Sequence, residues 1–171
     1  MLTTEQEKEL SVKQGIEYFA FKYFSVWQHK EYLVSFDFER FGEPPEPDIF
    51  ALWNNHEIGI EVGTLYSGNF DAARLLGRIE DEDFKDKLQE EVMIPLDRVY
   101  VRLRNLINSK QEKEYSVTNS LLLIQNAFPL FSKEDFLCVE GIYDCGQFRE
   151  IWLVCDRSGD SGILRLDKYQ K

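Results

Sequence analysis

Apolar residues recur at helical spacing from Thr4 to about His29 (Leu10, Ile16, Ala20, Phe24, Trp27), and Thr4 with Glu7 looks like a capping box at the start. One helix is therefore expected over 4–29. Tyr32 to Phe38 alternates and is rich in aromatics, as a strand does. Three prolines between Pro44 and Pro47 then forbid helix and ladder alike. Asp48 to Trp53 and Glu57 to Val62 read as two more strands joined by Asn54-Asn55, a pair that tolerates positive φ and suits a tight hairpin.

After a loop around Tyr66–Asn69, helical periodicity returns over 71–93 and 96–114, with Pro95 breaking the join. Ser120 to Gln125 holds Leu-Leu-Leu-Ile, and 150–155 is similarly apolar, as strands buried on both faces are. Residues 162–166 add a short edge strand. The expected fold class is α/β (α+β): a mixed sheet flanked by helices, in a single domain over residues 1–171.

The hairpin converts sequence into geometry. With Asn54 and Asn55 as the loop, Trp53 faces His56, Phe50 faces Gly59, and Asp48 faces Glu61. Alternation puts Ile49, Ala51 and Trp53 on one face with Ile58, Ile60 and Val62, and leaves Asp48 and Glu61 together on the other. Facing Cβ atoms stand roughly 5 Å apart, and like charges there are destabilising. One carboxyl must hold a proton, or a cation must sit between the two. Mg²⁺ (or Mn²⁺) suits such a site, because it takes one or two carboxylates and completes its shell with water and phosphate oxygens. The competing reading is a solvated strand face whose acids happen to align, and a one-residue slip in register would separate them.

Composition changes little in this picture. With 43% apolar and 30% charged residues the chain is an ordinary globular one. A net charge of −11 argues against broad affinity for nucleic acid, which needs clustered Lys and Arg. Charge is unevenly spread, however. Residues 80–91 carry seven acids and two lysines, whereas Arg98, Arg102, Arg104, Lys110 and Lys113 make the next helix basic, a strip that could face DNA. Cys138, Cys145 and Cys155 lack metal-ligand or disulfide spacing and read as free thiols. No apolar run is long enough to span a membrane, and no signal-peptide pattern opens the chain, so a cytoplasmic location is expected.

Pro47-Asp48 followed thirteen residues later by Glu61, within the order α-β-β-β-α-β, resembles the PD-(D/E)xK (restriction-endonuclease-like) nuclease superfamily over roughly residues 10–155. The resemblance implies metal binding by Asp48 and Glu61, an additional acid from the first helix, and hydrolysis of DNA phosphodiesters. Glu17 fits the helix acid, two turns from both Leu10 and Phe24 on the inward stripe; a boundary glutamate is the bland alternative. The pattern calls for a lysine two residues after the second acid, where this chain has Gly63. On the 96–114 helix, Leu96, Val99, Leu103 and Ile107 define an apolar stripe, and Lys110 falls within about 20° of Leu103. Lys110 therefore either snorkels to solvent or serves as the substitute lysine.

Two functions follow from these readings. The first is a Mg²⁺-dependent endonuclease-like domain with Glu17, Asp48, Glu61 and Lys110 at its centre. The second is a catalytically inactive relative, an acidic module that binds a protein partner as an inhibitor or immunity protein does; Gly63 and the negative charge favour it. An acid-rich domain of unrelated fold is a third. A homodimer is compatible with either of the first two. Ser67 lacks a histidine partner, Gly63 and Gly68 form no phosphate loop, and His56 and the Asp156/Asp160 turn read as surface features.

Overall fold

The computed structural model describes residues 1–66, 95–128 and 131–168, and element numbers here run over those residues. The expected helix over 71–93, the acidic run at 80–91, and Ser67 and Gly68 lie outside them.

The N-terminal helical stretch is two helices rather than one: α1 (Thr4–Lys8) and α2 (Val12–Tyr32). Both start on a reciprocal cap. Thr3, not Thr4, accepts from the Gln6 backbone N–H while Gln6 accepts from Thr3, and Ser11 pairs with Gln14 in the same way. Ser11 at ψ 158° turns the chain out of the helix, and its side chain satisfies one of the orphan donors of α2. At the far end α2 runs on to Tyr32 and closes on Leu33 in the left-handed conformation. The first strand therefore begins later than its alternation suggests, as β1 (Phe36–Phe41).

The remaining strands are β2 (Ile49–Trp53), β3 (His56–Leu65), β4 (Ser120–Asn126), β5 (Glu150–Val154) and β6 (Ile163–Arg165), which form a six-stranded mixed sheet in sequential order. β1, β2 and β3 are antiparallel, β3–β4–β5 parallel, and β5–β6 antiparallel. Helix α3 (Leu96–Gln111) precedes β4, and a short helix α4 (Lys133–Phe136) precedes β5. The fold is thus a mixed sheet with flanking helices, as expected.

The period-2 alternation of the central strands sorts the core onto two faces. Leu121, Leu123, Trp152 and Val154 join Ile49, Ala51, Ile58, Ile60 and Val62 beneath Tyr18, Phe21 and Phe24 of α2. Leu122, Ile124, Ile151 and Leu153 join Val99, Leu103 and Ile107 of α3 on the opposite face. No helix among the described residues is long and apolar enough to cross a membrane.

Candidate active site

The hairpin has the register expected from Asn54-Asn55, both of which adopt positive φ: Trp53 pairs with His56, Phe50 with Gly59, and Ile49 with Ile60. Asp48 lies one residue before β2 rather than inside it. β3 runs five residues past Ile60, to Leu65, so its Val62 N–H projects beyond the β2 ladder. The Asp48 carboxylate takes that donor at 3.0 Å, replacing the missing strand partner with a side chain.

The proline loop fixes Asp48 from the other side. The Gly42 N–H donates to the Asp48 carbonyl at 2.9 Å, and a Cβ on Gly42 would stand 1.9 Å from the Pro47 oxygen. Pro47 in turn lies over Gly59, where a Cβ would come within 2.6 Å of its ring. Arg40 grips Glu46 through two nitrogens at 2.8 and 2.9 Å and stacks on Phe50, which holds the loop against the sheet.

Because Ile60 and Val62 face α2, Glu61 faces α3. It is 3% exposed, and the Lys110 ammonium meets its Oε1 at 2.6 Å while donating also to the Val62 carbonyl at 2.7 Å. Lys113 stands 3.8 Å from the same oxygen. Lys110 therefore turns inward to a buried anion and does not snorkel. The glycine at 63 has a packing reason: a Cβ there would come within 3.3–3.4 Å of three atoms of Leu106 on α3. The helix lies too close to that strand position for a long side chain, and it delivers a lysine from one turn further along instead.

Glu17 reaches the same place from α2. Its carboxyl is buried and paired with Lys13 at 2.9 Å, and Lys13 also meets Asp48 Oδ1 at 3.1 Å. Burial first, and then the Asp48 charge, push the Glu17 carboxyl up to about 7. Burial acts on Asp48 too, but the Val62 N–H and the charges of Lys110 and Lys13 outweigh it and hold that carboxyl below its usual range. Lys13 is pulled down by burial and raised more strongly by its two carboxylates. Tyr115 closes the site: its hydroxyl lies near Glu61 without a well-formed hydrogen bond, and burial, then the Glu61 charge, raise its pKa.

Glu17, Asp48, Glu61 and Lys110 thus line one open cleft of about 500 Å³, together with Lys13, Lys113, Tyr115 and the Pro44–Glu46 loop. A second cleft of about 570 Å³ shares Lys13, Glu17, Val62 and Lys110 and continues past Gly63 to Tyr66 and Leu106. Arg102 donates to the Tyr66 carbonyl at that end, so part of the basic side of α3 borders the groove. Lys13 and Tyr115 are not among the residues that the sequence motifs indicate. Lys13 is one turn before Glu17, an i,i+4 signal that was available; Tyr115 sits in the loop after α3, where no periodicity points to it.

Among the described residues, no three His, Cys, Asp or Glu side chains form a ready-made metal cage. The donor set nevertheless fits a hard cation: it is all carboxylate oxygen, and an ammonium already bridges two of the three acids. No family model, curated protein or solved structure significantly matches this chain. The chemistry of the cleft therefore carries the functional reading.

Proposed function

We propose that the protein is a Mg²⁺- or Mn²⁺-dependent nuclease-like domain that hydrolyses DNA phosphodiesters. The observation that carries this reading is the Lys110–Glu61 contact at 2.6 Å beside Asp48: the lysine absent from position 63 is supplied to the same acid from α3. Asp48 and Glu61 would hold the ion, and Glu17 would complete or orient its shell. A divalent ion in such a site lowers the pKa of bound water and offsets charge on a phosphoryl group. Lys110, anchored by the Val62 carbonyl, keeps an ammonium next to the carboxylates, where it can orient the attacking water and counter developing phosphate charge. The elongated groove, with Lys13 on one wall and Lys110 and Arg102 along the other, gives a chain of net charge −11 a local path for an anionic backbone.

A second reading draws on the same contacts. Lysines already neutralise all three acids, as in a nuclease-like scaffold that has lost its chemistry and binds a basic protein through its acidic surface. Calorimetry with Mn²⁺ and Mg²⁺ separates the two. The nuclease reading expects binding at millimolar ion or tighter, lost in Asp48→Ala, and plasmid cleavage that falls in Lys110→Ala. A wild-type protein that binds neither ion favours the inactive module, and pull-down with a basic partner then becomes the productive assay.

A further inference from the structure

Lys13 occupies an unusual place in this site. Its stem leaves the first turn of α2 with 67% of the side chain exposed, yet its ammonium lies 2.9 Å from Glu17 Oε1 and 3.1 Å from Asp48 Oδ1. Asp48 Oδ2 is already engaged by the Val62 N–H, so Oδ1 is the oxygen that Asp48 turns toward an incoming cation. Glu17 is 7% exposed, and its paired oxygen is likewise the one on Lys13. An ion that draws on either oxygen meets an ammonium already in contact with it.

We infer that Lys13 is a built-in competitor for the divalent cation, an ammonium that bridges Glu17 and Asp48 and must swing outward when the ion binds. The inference rests on the metal-binding reading and adds to it a residue outside the expected set. Physical chemistry favours a switch over a static strut. Ionised Glu17 and Asp48 repel each other in a partly desolvated site, and above the Glu17 pKa a positive charge between them, ammonium or metal, relieves that repulsion. A lysine does this with a flexible four-carbon stem and a single point charge, whereas an arginine would lock the pair in a bidentate fork. High exposure leaves the stem free to rotate into solvent, and Lys13 lines both clefts, so the released ammonium remains at their shared wall. Lys110 contrasts with it: its side chain is 14% exposed and tied to a backbone carbonyl, which makes it a fixed element.

The test is calorimetric titration of Mn²⁺ at pH 8.5 into wild type, Lys13→Met and Lys13→Arg, with circular dichroism as the check on folding. Removing the competing charge is expected to tighten Mn²⁺ binding about five-fold in Lys13→Met, the scale of one partly exposed ion pair, while Lys13→Arg binds no more tightly than wild type. A purely structural lysine would give the opposite sign. A second readout follows the Lys13 amine by mass spectrometry after acylation: its labelling is expected to rise as Mn²⁺ saturates the site. Wild-type binding with unchanged or weaker affinity in Lys13→Met, or labelling insensitive to Mn²⁺, overturns the competitor role and leaves the metal reading intact. No binding in any of the three proteins overturns both.

Discussion

Lys110→Met removes the ammonium from Glu61 and keeps most of the apolar stem on the α3 stripe. The pair is buried, with side chains 14% and 4% exposed, so its loss strands a carboxylate away from water. Breaking such a pair from one side costs about 3–5 kcal/mol. Lys113, at 3.8 Å and 57% exposed, recovers less than about 1 kcal/mol of this. A net loss of about 3 kcal/mol remains, which for a chain of this size lowers Tm by roughly 6–12 °C. Urea unfolding at pH 7.5 measures it directly, and Lys110→Met combined with Glu61→Gln completes a double-mutant cycle. The double variant should be within about 1 kcal/mol of Glu61→Gln alone, because the methionine no longer abandons a charge. A loss below about 1 kcal/mol in Lys110→Met, or strictly additive losses in the cycle, would refute the inward-facing pair and return Lys110 to the solvent.

The other predictions concern the surroundings of that pair. Glu17→Gln flattens the pH dependence of stability: with its folded pKa raised from 4.5 to about 7, Glu17 binds its proton more tightly folded than unfolded, so wild type loses stability as pH climbs through that interval. After discounting for screening near the exposed Lys13, the difference amounts to about 2 kcal/mol; parallel wild-type and variant curves from pH 4.5 to 8 would contradict it. Gly63→Lys, which places a lysine two residues after Glu61, should destabilise by about 1–3 kcal/mol by driving a side chain against Leu106, and adding Leu106→Ala should reduce that loss in thermal melts. Gly59→Ala should cost about 1–3 kcal/mol, since its new methyl would strike the Pro47 ring. It should also weaken Mn²⁺ affinity by displacing Asp48; full stability with unchanged affinity would show that the proline loop does not position the acid.

Local pattern was a good guide wherever the physics is local. Asn54-Asn55 set the hairpin register because two positive-φ residues permit one tight turn, and that register, whose last pair is Ile49 with Ile60, brings Asp48 to the end of the ladder beside Glu61. The apolar runs in β4 and β5 correctly signalled burial on both faces. Errors cluster at boundaries, where a cap competes with continued periodicity. Ser11 and Gln14 start a second helix with their own reciprocal cap where periodicity suggests one continuous helix, and the aromatic alternation near Tyr32 belongs to the last turn of that helix. The strand at Asp48 began a residue late because a side chain, not the backbone, takes the Val62 donor.

Residue types and spacing determined by themselves the hairpin register that brings Asp48 and Glu61 to one cleft, the place of Lys110 on the apolar stripe of its helix, and the glycine where the motif calls for lysine; the common sheet face expected for the two acids is not what forms, because Asp48 precedes β2 and pairs with Lys13 of α2 while Glu61 faces α3. Only the tertiary structure decided what those facts mean together. Whether Lys110 snorkels or pairs depends on how closely α3 packs against β3, a distance set by Leu106 over Gly63, some forty residues apart in the chain. Whether Glu17 is a boundary residue or part of the site depends on α2 crossing the opposite face far enough to bring Lys13 onto Asp48. Periodicity reports which way a side chain points, whereas the buried Lys110–Glu61 pair and the Lys13–Asp48 contact exist because separate elements pack against one another.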